Sequence, residues 1–258
     1  METLEPARGT TSADRVADVL LAFSAAESSL GVSQIARQLG MSKAVVHRIL
    51  QSLVARGLLQ HNERTHAYGL GPAAVMLGAR TLAQMDLRDV ARPELMWLRN
   101  ETQETTTLSL LVNDRRAYID QFPSPKEIKM TVELGRGYPL HAGASSRVIL
   151  AHMTPADRER VLTGPLMSLT SETITEEKRL AASLRLVAEK GYATSHGERQ
   201  SGAGSVAAPV FATGGRVVGA ISICGPQYRF DEETVARFIP MAVEAARRIT
   251  RHFSGSTK

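Results

Sequence analysis

Residues 32–51, VSQIARQLGMSKAVVHRILQ, restrict the fold of this chain more than any other stretch. Ile35 and Leu39 recur at helical spacing, and Gly40 then interrupts the pattern. Ser42 is a residue type that begins a helix as its N-cap. In the second helix, apolar residues recur at i, i+3, i+4 and i+7 and form one buried face: Val46, Ile49, Leu50 and Leu53. The sequence therefore predicts two short helices joined by a tight turn.

The opposite face of the second helix is polar, basic and narrow enough to enter a groove of DNA. Its members are Lys43, Ala44, His47, Arg48 and Gln51. In a helix-turn-helix, the second helix presents such residues to base edges in the major groove. Ser42, at the start of this helix, and Arg64, in the turn beyond it, are expected to contact phosphates. An ordinary helical hairpin with a solvated face is the alternative interpretation.

The positive charge of the chain is concentrated around this motif. The formal net charge is +5, and residues 31–70 carry five Lys and Arg residues against one Glu, a local charge of +4. A protein that neutralises DNA phosphates requires this balance at its binding surface. The charge distribution therefore favours a double-stranded DNA operator as the partner of this region.

Length and composition exclude several classes of protein. At 258 residues, with 43% hydrophobic and 22% charged residues, the chain has the size and composition of two globular domains. No apolar run approaches the ~20 residues that span a bilayer, and no cleavable signal is expected. A single cysteine, Cys224, excludes an intramolecular disulfide framework and a cysteine-rich metal site. We expect a cytoplasmic protein with no membrane segment and no cofactor.

The flanks of the motif complete a small domain, predicted over residues 11–71. Residues 1 to about 10 have no apolar period and are expected to form a mobile tail. A first helix follows, with Ser12 as its candidate cap and one apolar stripe: Val16, Val19, Leu20 and Phe23. This helix would pack across the two motif helices and complete a three-helix core.

A hairpin is predicted after the second motif helix, with strands beginning at residue 58 and covering 66–70. The polar turn between them, residues 61–65, would be the tip of a wing. His61 and His66 lack a neighbouring cysteine or carboxylate cluster, so a metal site there is not expected. The N-terminal domain is thus predicted to be a winged helix-turn-helix.

A linker helix is predicted over residues 72–86. Four positions follow 3-4-3 spacing, as in a coiled-coil seam: Val75, Gly78, Leu82 and Met85. Two heptads are too few to decide between a helix that pairs with a second copy and a helix that packs on its own domain. A self-pairing helix would supply the dimer that a short recognition helix needs for adequate affinity.

The second half, residues 87–254, is predicted to be an α+β domain of the sensor type. Strands are predicted at 105–112, 117–122, 128–134, 192–198, 206–211 and 217–224. Helices are predicted at 87–102, 141–151 and 175–190, with a further one after Pro155 and a terminal one at 231–253. Strands interrupted by helices in this order do not indicate a doubly wound nucleotide-binding fold.

A ligand cavity is predicted in this domain from the size of the side chains on two strands. Because side chains alternate faces, Ala220, Ser222 and Cys224 share one face of their strand, and all three are small. Ser205 and Ala207 continue this face on the neighbouring strand. The segment 142–146 precedes a helix, whose N-terminal N–H groups attract anions. A carboxylate would suit such a cavity, whereas plain filler beneath a helix is the alternative.

Two motifs resemble the IclR family of bacterial one-component transcriptional regulators. The stretch GYATSHGE at residues 191–198 is followed, after six residues, by SVA at 205–207 and by VF at 210–211. The segment SKAVVHRIL at residues 42–50 is similar to the SKSTVHRLL usual in that family. Ala44 and Val45 stand where the family has hydroxyls, and Ala212 stands where it has Asp or Asn.

The resemblance implies an N-terminal winged helix-turn-helix, a linker helix, a C-terminal GAF-like effector-binding domain, and a homodimer or dimer of dimers. It also implies a small organic acid as effector. The positions that match the effector site are Ala144, Ser145, Ser195, Ala203, Ser205, Ser222 and Cys224, with Met130 as a further wall residue. Several members of the family have Asp at the position of Ser195 and Cys at that of Ser205.

The sequence therefore predicts an effector-responsive DNA-binding regulator and not an enzyme. An enzyme could use Cys224 as nucleophile with His141 or His196 as base, but no GxSxG, paired-carboxylate or P-loop pattern occurs. A constitutive DNA-binding protein, whose second half only assembles the oligomer, is the remaining alternative.

Overall fold

The computed structural model describes residues 11–26 and 29–255, so the predicted tail at residues 1–10 lies outside the described residues. The chain divides into two compact units, Met1–Gln84 and Met85–Lys258. No helix in the described ranges combines the length and the apolar character needed to cross a bilayer.

The first unit contains the predicted three helices and hairpin. Its elements are α1 (Thr11–Ala25), α2 (Val32–Leu39), α3 (Lys43–Ala55), β1 (Leu59–Asn62), β2 (Ala67–Leu70) and α4 (Pro72–Ala83). One hydrophobic cluster joins α1, α2, α3 and the hairpin, and Ile35, Val46 and Leu50 are fully buried within it. The predicted apolar faces of both motif helices are thus confirmed.

The apolar stripe predicted for α1 is wrong at one position. Val16 is 37% exposed, whereas Val19, Ala22 and Phe23 are buried. The helix contacts α2 and α3 through this later arc, so its first turns extend past the edge of the core. Ser12 lies inside the helix and not at its cap.

The hairpin turn is shorter than predicted because the side chain of Asn62 closes it. Oδ1 of Asn62 accepts hydrogen bonds from the backbone N–H groups of Arg64 at 3.0 Å and Thr65 at 3.2 Å. His61 therefore belongs to β1, paired with Tyr68 of β2, and not to the turn.

The helix predicted over residues 72–86 ends early. α4 ends at Ala83, and α5 (Asp86–Thr102) begins after Met85. Leu87 is 2% exposed and packs in the core of the second unit, which explains why the chain breaks its helix here. The apolar side chains of α4 remain exposed, including Val75 at 70%, Met76 at 73% and Leu77 at 62%.

The second unit is a six-stranded sheet with helices on both faces. After α5 its elements are β3 (Thr105–Val112), β4 (Arg115–Phe122), β5 (Gly137–Pro139), α6 (Ala144–His152), α7 (Pro155–Leu162), α8 (Glu177–Lys190), β6 (Ala193–His196), β7 (Ala203–Phe211), β8 (Val217–Pro226) and α9 (Glu232–Gly255). The strand order is β5-β4-β3-β8-β7-β6, and all neighbours are antiparallel.

The two faces of the sheet carry the alternation predicted for β7 and β8. Ile221 and Ile223 pack into the cluster formed with α5 and α9. Ala207 and Ala220 pack on the opposite face, against α6 and α8. The small side chains predicted to line a cavity therefore face the α6 side.

The strand predicted at residues 128–134 is wrong. This segment is irregular, and only Leu134 forms an isolated bridge, to Tyr118. Side chains of the neighbouring strands bond its backbone instead: Gln121 bonds both the N–H and the carbonyl of Val132, and Thr105 Oγ1 donates to the Met130 carbonyl at 2.6 Å. Because these bonds satisfy the backbone, no ladder forms, and the short β5 at residues 137–139 occupies the sheet edge.

Candidate functional site

The predicted DNA-binding face lies exposed on α3. Its five members, Lys43, Ala44, His47, Arg48 and Gln51, all have exposed side chains. Because the opposite side of the helix is buried in the core of the unit, α3 can present only this face. Arg64 is exposed at the tip of the hairpin.

The turn before α3 fixes the start of that helix. Gly40 ends α2 in the left-handed conformation, with φ of 63°, which a glycine adopts without strain. Ser42 caps α3, because its Oγ accepts a hydrogen bond from the Val45 N–H at 3.3 Å. The hydroxyl hydrogen of Ser42 stays available to an acceptor outside the protein.

A cavity of about 30 Å³ lies in the second unit between the sheet and the first turn of α6. This volume exceeds the ~10–15 Å³ that one ordered water requires. All eight effector residues predicted from the sequence line it: Met130, Ala144, Ser145, Ser195, Ala203, Ser205, Ser222 and Cys224. Six further lining residues were not predicted: Arg116, Tyr118, Gly143, Arg199, Gln200 and Gly204.

The sheet side of the cavity is built by strand register. Ser195 of β6 pairs with Ser205 of β7, which in turn pairs with Cys224 of β8. These small side chains occupy one row across three strands, and their size leaves the space that larger residues would fill. Ser222 is held by its neighbour on β3, since its Oγ lies 2.7 Å from Thr107 Oγ1.

The helix side of the cavity is the N-terminus of α6. Gly143 is its N-cap, with φ of 89°, and provides no side-chain cap. The first N–H groups of a helix have no intrahelical acceptor, so those of Ala144 and Ser145 can bind an anion. Gly143 itself donates its N–H to Glu198 Oε2 at 3.1 Å.

A buried ion pair fixes this helix start to the sheet. Arg147 of α6 makes a two-pronged contact with Glu198, with Nε–Oε2 at 2.9 Å and Nη2–Oε1 at 2.7 Å. Arg147 also donates to Ser183 Oγ and to the Thr194 carbonyl. Both charged groups are less than a tenth exposed, so they neutralise each other and leave no charge for the cavity.

Arg116 is the most deeply buried cation at the cavity, with 1% of its surface exposed. Its guanidinium donates to three neutral oxygens: Ser146 Oγ at 2.7 Å, Ser109 Oγ at 3.2 Å and Tyr118 OH at 3.1 Å. No carboxylate of the described residues forms an ion pair with it. Burial lowers the pKa of Arg116, but a guanidinium stays charged at neutral pH.

Arg199 is the second cation at the cavity and is partly exposed. Its Cζ lies 5.0 Å from the ring centroid of Tyr138 and 5.7 Å from that of Tyr118. Arg116 Cζ lies over the same two rings, at 5.3 Å and 4.3 Å respectively. Both cations are therefore stabilised by the same pair of aromatic rings.

None of the described residues that line the cavity is Asp or Glu. Burial raises the pKa of the Cys224 thiol to about 12, so it stays protonated and neutral. Burial also raises the pKa of Tyr138, which stays a phenol. The cavity wall thus carries two positive charges and no negative one.

The sequence could not reveal Arg116 and Tyr118, because a bulge between β3 and β4 reverses the face of their strand. Leu108 pairs with Asp120, but the next residue, Ser109, pairs with Tyr118. Asp120 therefore faces α5 while Arg116 and Tyr118 face α6. Strict alternation would have placed all three on one face. Arg199 directly follows the GYATSHGE motif, and that proximity is the one signal by which it could have been found.

The residues considered for an enzyme do not form a nucleophile and base. His141 Nε2 lies 2.9 Å from the Met167 carbonyl, and His196 Nε2 lies 3.1 Å from the Phe230 carbonyl. The high pKa of Cys224 opposes formation of a thiolate. His61 and His66 have ring centroids 6.2 Å apart, and no group of three or more potential metal ligands occurs among the residues described.

Two family profiles and many known proteins match this chain. The profile described as the bacterial transcriptional regulator IclR C-terminal domain matches residues 79–251, and the IclR helix-turn-helix domain matches residues 12–63. The HTH-type transcriptional regulator BhcR of Paracoccus denitrificans is 32% identical over 247 residues, which cover 95% of this chain and 88% of that protein.

Solved structures give the same fold. An IclR-type regulator from Silicibacter sp. TM1040 superposes with a TM-score of 0.84 at 27% identity and covers 96% of this chain and 98% of its own. An IclR homologue from Microbacterium hydrocarbonoxydans, complexed with 4-hydroxybenzoate, gives a TM-score of 0.69 at 25% identity, with 95% of this chain and 100% of that chain covered. The matching proteins are regulators and not enzymes, as predicted for this chain.

Proposed function

Because this chain belongs to the IclR family of bacterial transcriptional regulators, we propose that a small organic acid bound in its cavity sets the affinity of α3 for an operator. Family membership gives a transcriptional regulator with a DNA-binding helix-turn-helix and an effector-binding C-terminal domain. The observation that carries the proposal is the cavity wall, which holds two arginines, free helix N–H groups and no carboxylate.

The proposed DNA contacts follow from the exposed face of α3. Lys43, His47, Arg48 and Gln51 would bind base edges in the major groove, and Ala44 could contact a thymine methyl group. Ser42, whose hydroxyl hydrogen is available, and Arg64 on the hairpin would bind phosphates. Each lost base contact is expected to weaken binding by about 1 to 3 kcal/mol.

The proposed assembly is a homodimer or a dimer of dimers. The exposed apolar side chains of α4 support pairing of this helix with a second copy, since such a patch is otherwise unfavourable in water. Two copies of α3 would then read half-sites roughly 34 to 36 Å apart, or a multiple of that distance. The acid would act by changing their relative placement, and linkage requires that DNA and acid affect each other's affinity equally.

We assign residues 11–71 to the DNA-binding domain, 72–86 to the linker and 87–254 to the effector-binding domain. The division into compact units between Gln84 and Met85 supports this assignment. The complex of a structural neighbour with 4-hydroxybenzoate supports an organic acid as the class of effector.

The test is a gel shift on DNA upstream of the gene for this chain, with and without small carboxylic acids. Arg48→Ala is expected to weaken binding about fivefold to a hundredfold, since it removes one base contact. Arg185→Ala, on the exposed side of α8, removes the same charge from the other unit and should leave binding unchanged. Absence of a shift at moderate salt would contradict DNA binding.

The constitutive alternative predicts a different result. If DNA binding is present but no acid changes it, and no acid raises the melting temperature, the second unit only assembles the oligomer. A bound effector would raise that temperature because it binds the folded state.

A further inference from the structure

We propose that the cavity is specific for a short dicarboxylate of about three or four carbons, with one carboxylate bound by Arg116 and the other by Arg199. This inference rests on the proposed function, in which an organic acid binds in the cavity. It specifies in addition that the acid carries two negative charges. The two arginines become the residues that determine specificity.

Arg116 has donors left for a ligand. A guanidinium has five N–H groups, and its three hydrogen bonds use Nε and one N–H on each terminal nitrogen. One N–H on each terminal nitrogen therefore has no acceptor among the described residues. These two N–H groups are the donors that Arg116 offers to a carboxylate.

Arg199 stands within reach of the second end of such a ligand. Both guanidinium groups lie over the ring of Tyr138, so the sum of their distances to it limits their separation to about 10 Å. Charge-assisted hydrogen bonds span about 2.7 to 2.9 Å at each end. This upper limit allows only a short spacer, such as one or two methylene groups, between the two carboxylates of a ligand that bridges the cations.

Two acids near the cavity, Glu104 and Glu198, are already neutralised. Glu104 binds Lys126 at 2.7 Å and Arg229 at 2.6 Å, and Glu198 binds Arg147. Neither carboxylate is left to balance Arg116 or Arg199. Cys224 and Tyr138 stay neutral as well, so the cavity favours a ligand that brings negative charge to both arginines.

A monocarboxylate would leave one of the two cations without an anionic partner at the site. The N–H groups at the start of α6 and the hydroxyls of Ser145 and Ser205 are neutral donors, so they can bind the remaining oxygens but supply no charge. The cavity of about 30 Å³ has room for only about two or three waters, so it opposes a large acid, and even a short acid must displace the partly exposed Arg199 outward. The two arginines favour a dianion, and the small volume restricts it to a short one.

The test compares four probes by isothermal titration calorimetry of the full chain, at pH 7.5 and constant ionic strength. Malonate is matched with propionate, and succinate with butyrate, so each pair has the same carbon number and differs by one charge. The better dicarboxylate is expected to bind at least about tenfold more tightly than its matched monocarboxylate, because it gains charge-assisted hydrogen bonds to a second arginine.

Two variants assign the effect to Arg199. Arg199→Met keeps the apolar stem and removes the charge, so the advantage of the dicarboxylate should fall to about twofold or less. Arg136→Met is the matched control: Arg136 also lies over Tyr138, at 5.2 Å, but binds Glu133, and its loss should leave the advantage unchanged. Arg199 is partly exposed, so the Arg199→Met variant is expected to fold. A variant of the buried Arg116 could fail to fold, and the test therefore does not depend on it.

The melting temperature without ligand separates binding from structural support. Arg199→Met should lower the melting temperature no more than the control Arg136→Met, which also loses a contact with Tyr138, whereas loss of a structural arginine would lower it further. Equal binding within each matched pair, or no binding of any probe, would overturn the inference. If 4-hydroxybenzoate released the operator while both dicarboxylates were inert, the proposed function would stand and the dicarboxylate would be excluded. If a dicarboxylate bound as expected but left the operator affinity unchanged, the dicarboxylate site would stand and the proposed function would be contradicted.

Discussion

Cys224 shows how the surroundings of a single residue control its chemistry. The thiol lines the cavity on β8, and its pKa is raised to about 12, first by burial and then by the charge of Glu104. A thiol with a raised pKa contains less thiolate at a given pH, and the thiolate is the reactive form. The residue is therefore a wall of the cavity and not a nucleophile.

This pKa predicts slow modification of Cys224. In the folded protein at pH 8, reaction with Ellman's reagent should be about thirtyfold slower than in the unfolded chain, after allowing for the higher nucleophilicity of a more basic thiolate. The rate should continue to rise through pH 10, because the thiol has not yet titrated. Absorbance in buffer and in guanidinium measures both rates, and Cys224→Ala gives the blank. Equal rates in the folded protein and the unfolded chain would show that the pKa of Cys224 is not raised.

At the scale of elements, the start of α6 depends on Glu198. This carboxylate accepts the Gly143 N–H and neutralises Arg147, so it joins the helix N-cap to the end of β6. Because both partners are buried, loss of one leaves the other as an uncompensated charge. The position of the cavity's N–H donors thus rests on a contact between distant parts of the sequence.

Glu198→Gln should therefore reduce the free energy of unfolding by about 3–5 kcal/mol, because it leaves Arg147 charged and unpaired. Urea denaturation followed by circular dichroism measures the change. Glu189→Gln, the same substitution on the exposed side of α8, should alter stability by less than about 0.5 kcal/mol. A loss at residue 198 no larger than this control would mean that the pair contributes nothing to the fold.

At the scale of the whole molecule, α4 is a helix whose apolar side chains are not covered within a single chain. None of its side chains is buried, and three large apolar ones are more than half exposed: Val75, Met76 and Leu77. An exposed apolar patch of this kind is typical of a surface that contacts another molecule. In the dimer proposed above, that molecule is a second copy, and two linked recognition helices would bind two half-sites together.

The double substitution Val75→Glu and Leu82→Glu places charges one heptad apart on the predicted seam of α4 and should separate the proposed pair of helices. Affinity for an operator with two half-sites should fall at least about tenfold, whereas affinity for a single half-site should not change. Fluorescence anisotropy with both DNAs measures the difference. Leu186→Glu, at an exposed position on α8, serves as the control. An equal loss on both DNAs would assign the effect to misfolding of the first unit.

The sequence by itself determined the helix-turn-helix, the hairpin and the small-residue rows of β7 and β8. In each case the information lies within a few neighbouring residues: the 3.6-residue period of α3, the glycine at residue 40, the two-residue period along β8. In a helix or a strand, side chains that recur at these periods lie on the same face of the element. For this reason Ser205, Ser222 and Cys224 line the cavity, whereas Met130, Ser195 and Ala203 were predicted only from the resemblance to the IclR family.

Only the tertiary structure decided the charge of that cavity. The bulge at Leu108 and Ser109 turns Arg116 toward α6, and residues 128–134 lose their strand because Gln121 and Thr105 bond the backbone of that segment. Both outcomes depend on register between strands and on side chains far apart in sequence. No local period encodes them, so the two unpaired arginines, and the dicarboxylate inferred from them, became visible only once the sheet was assembled.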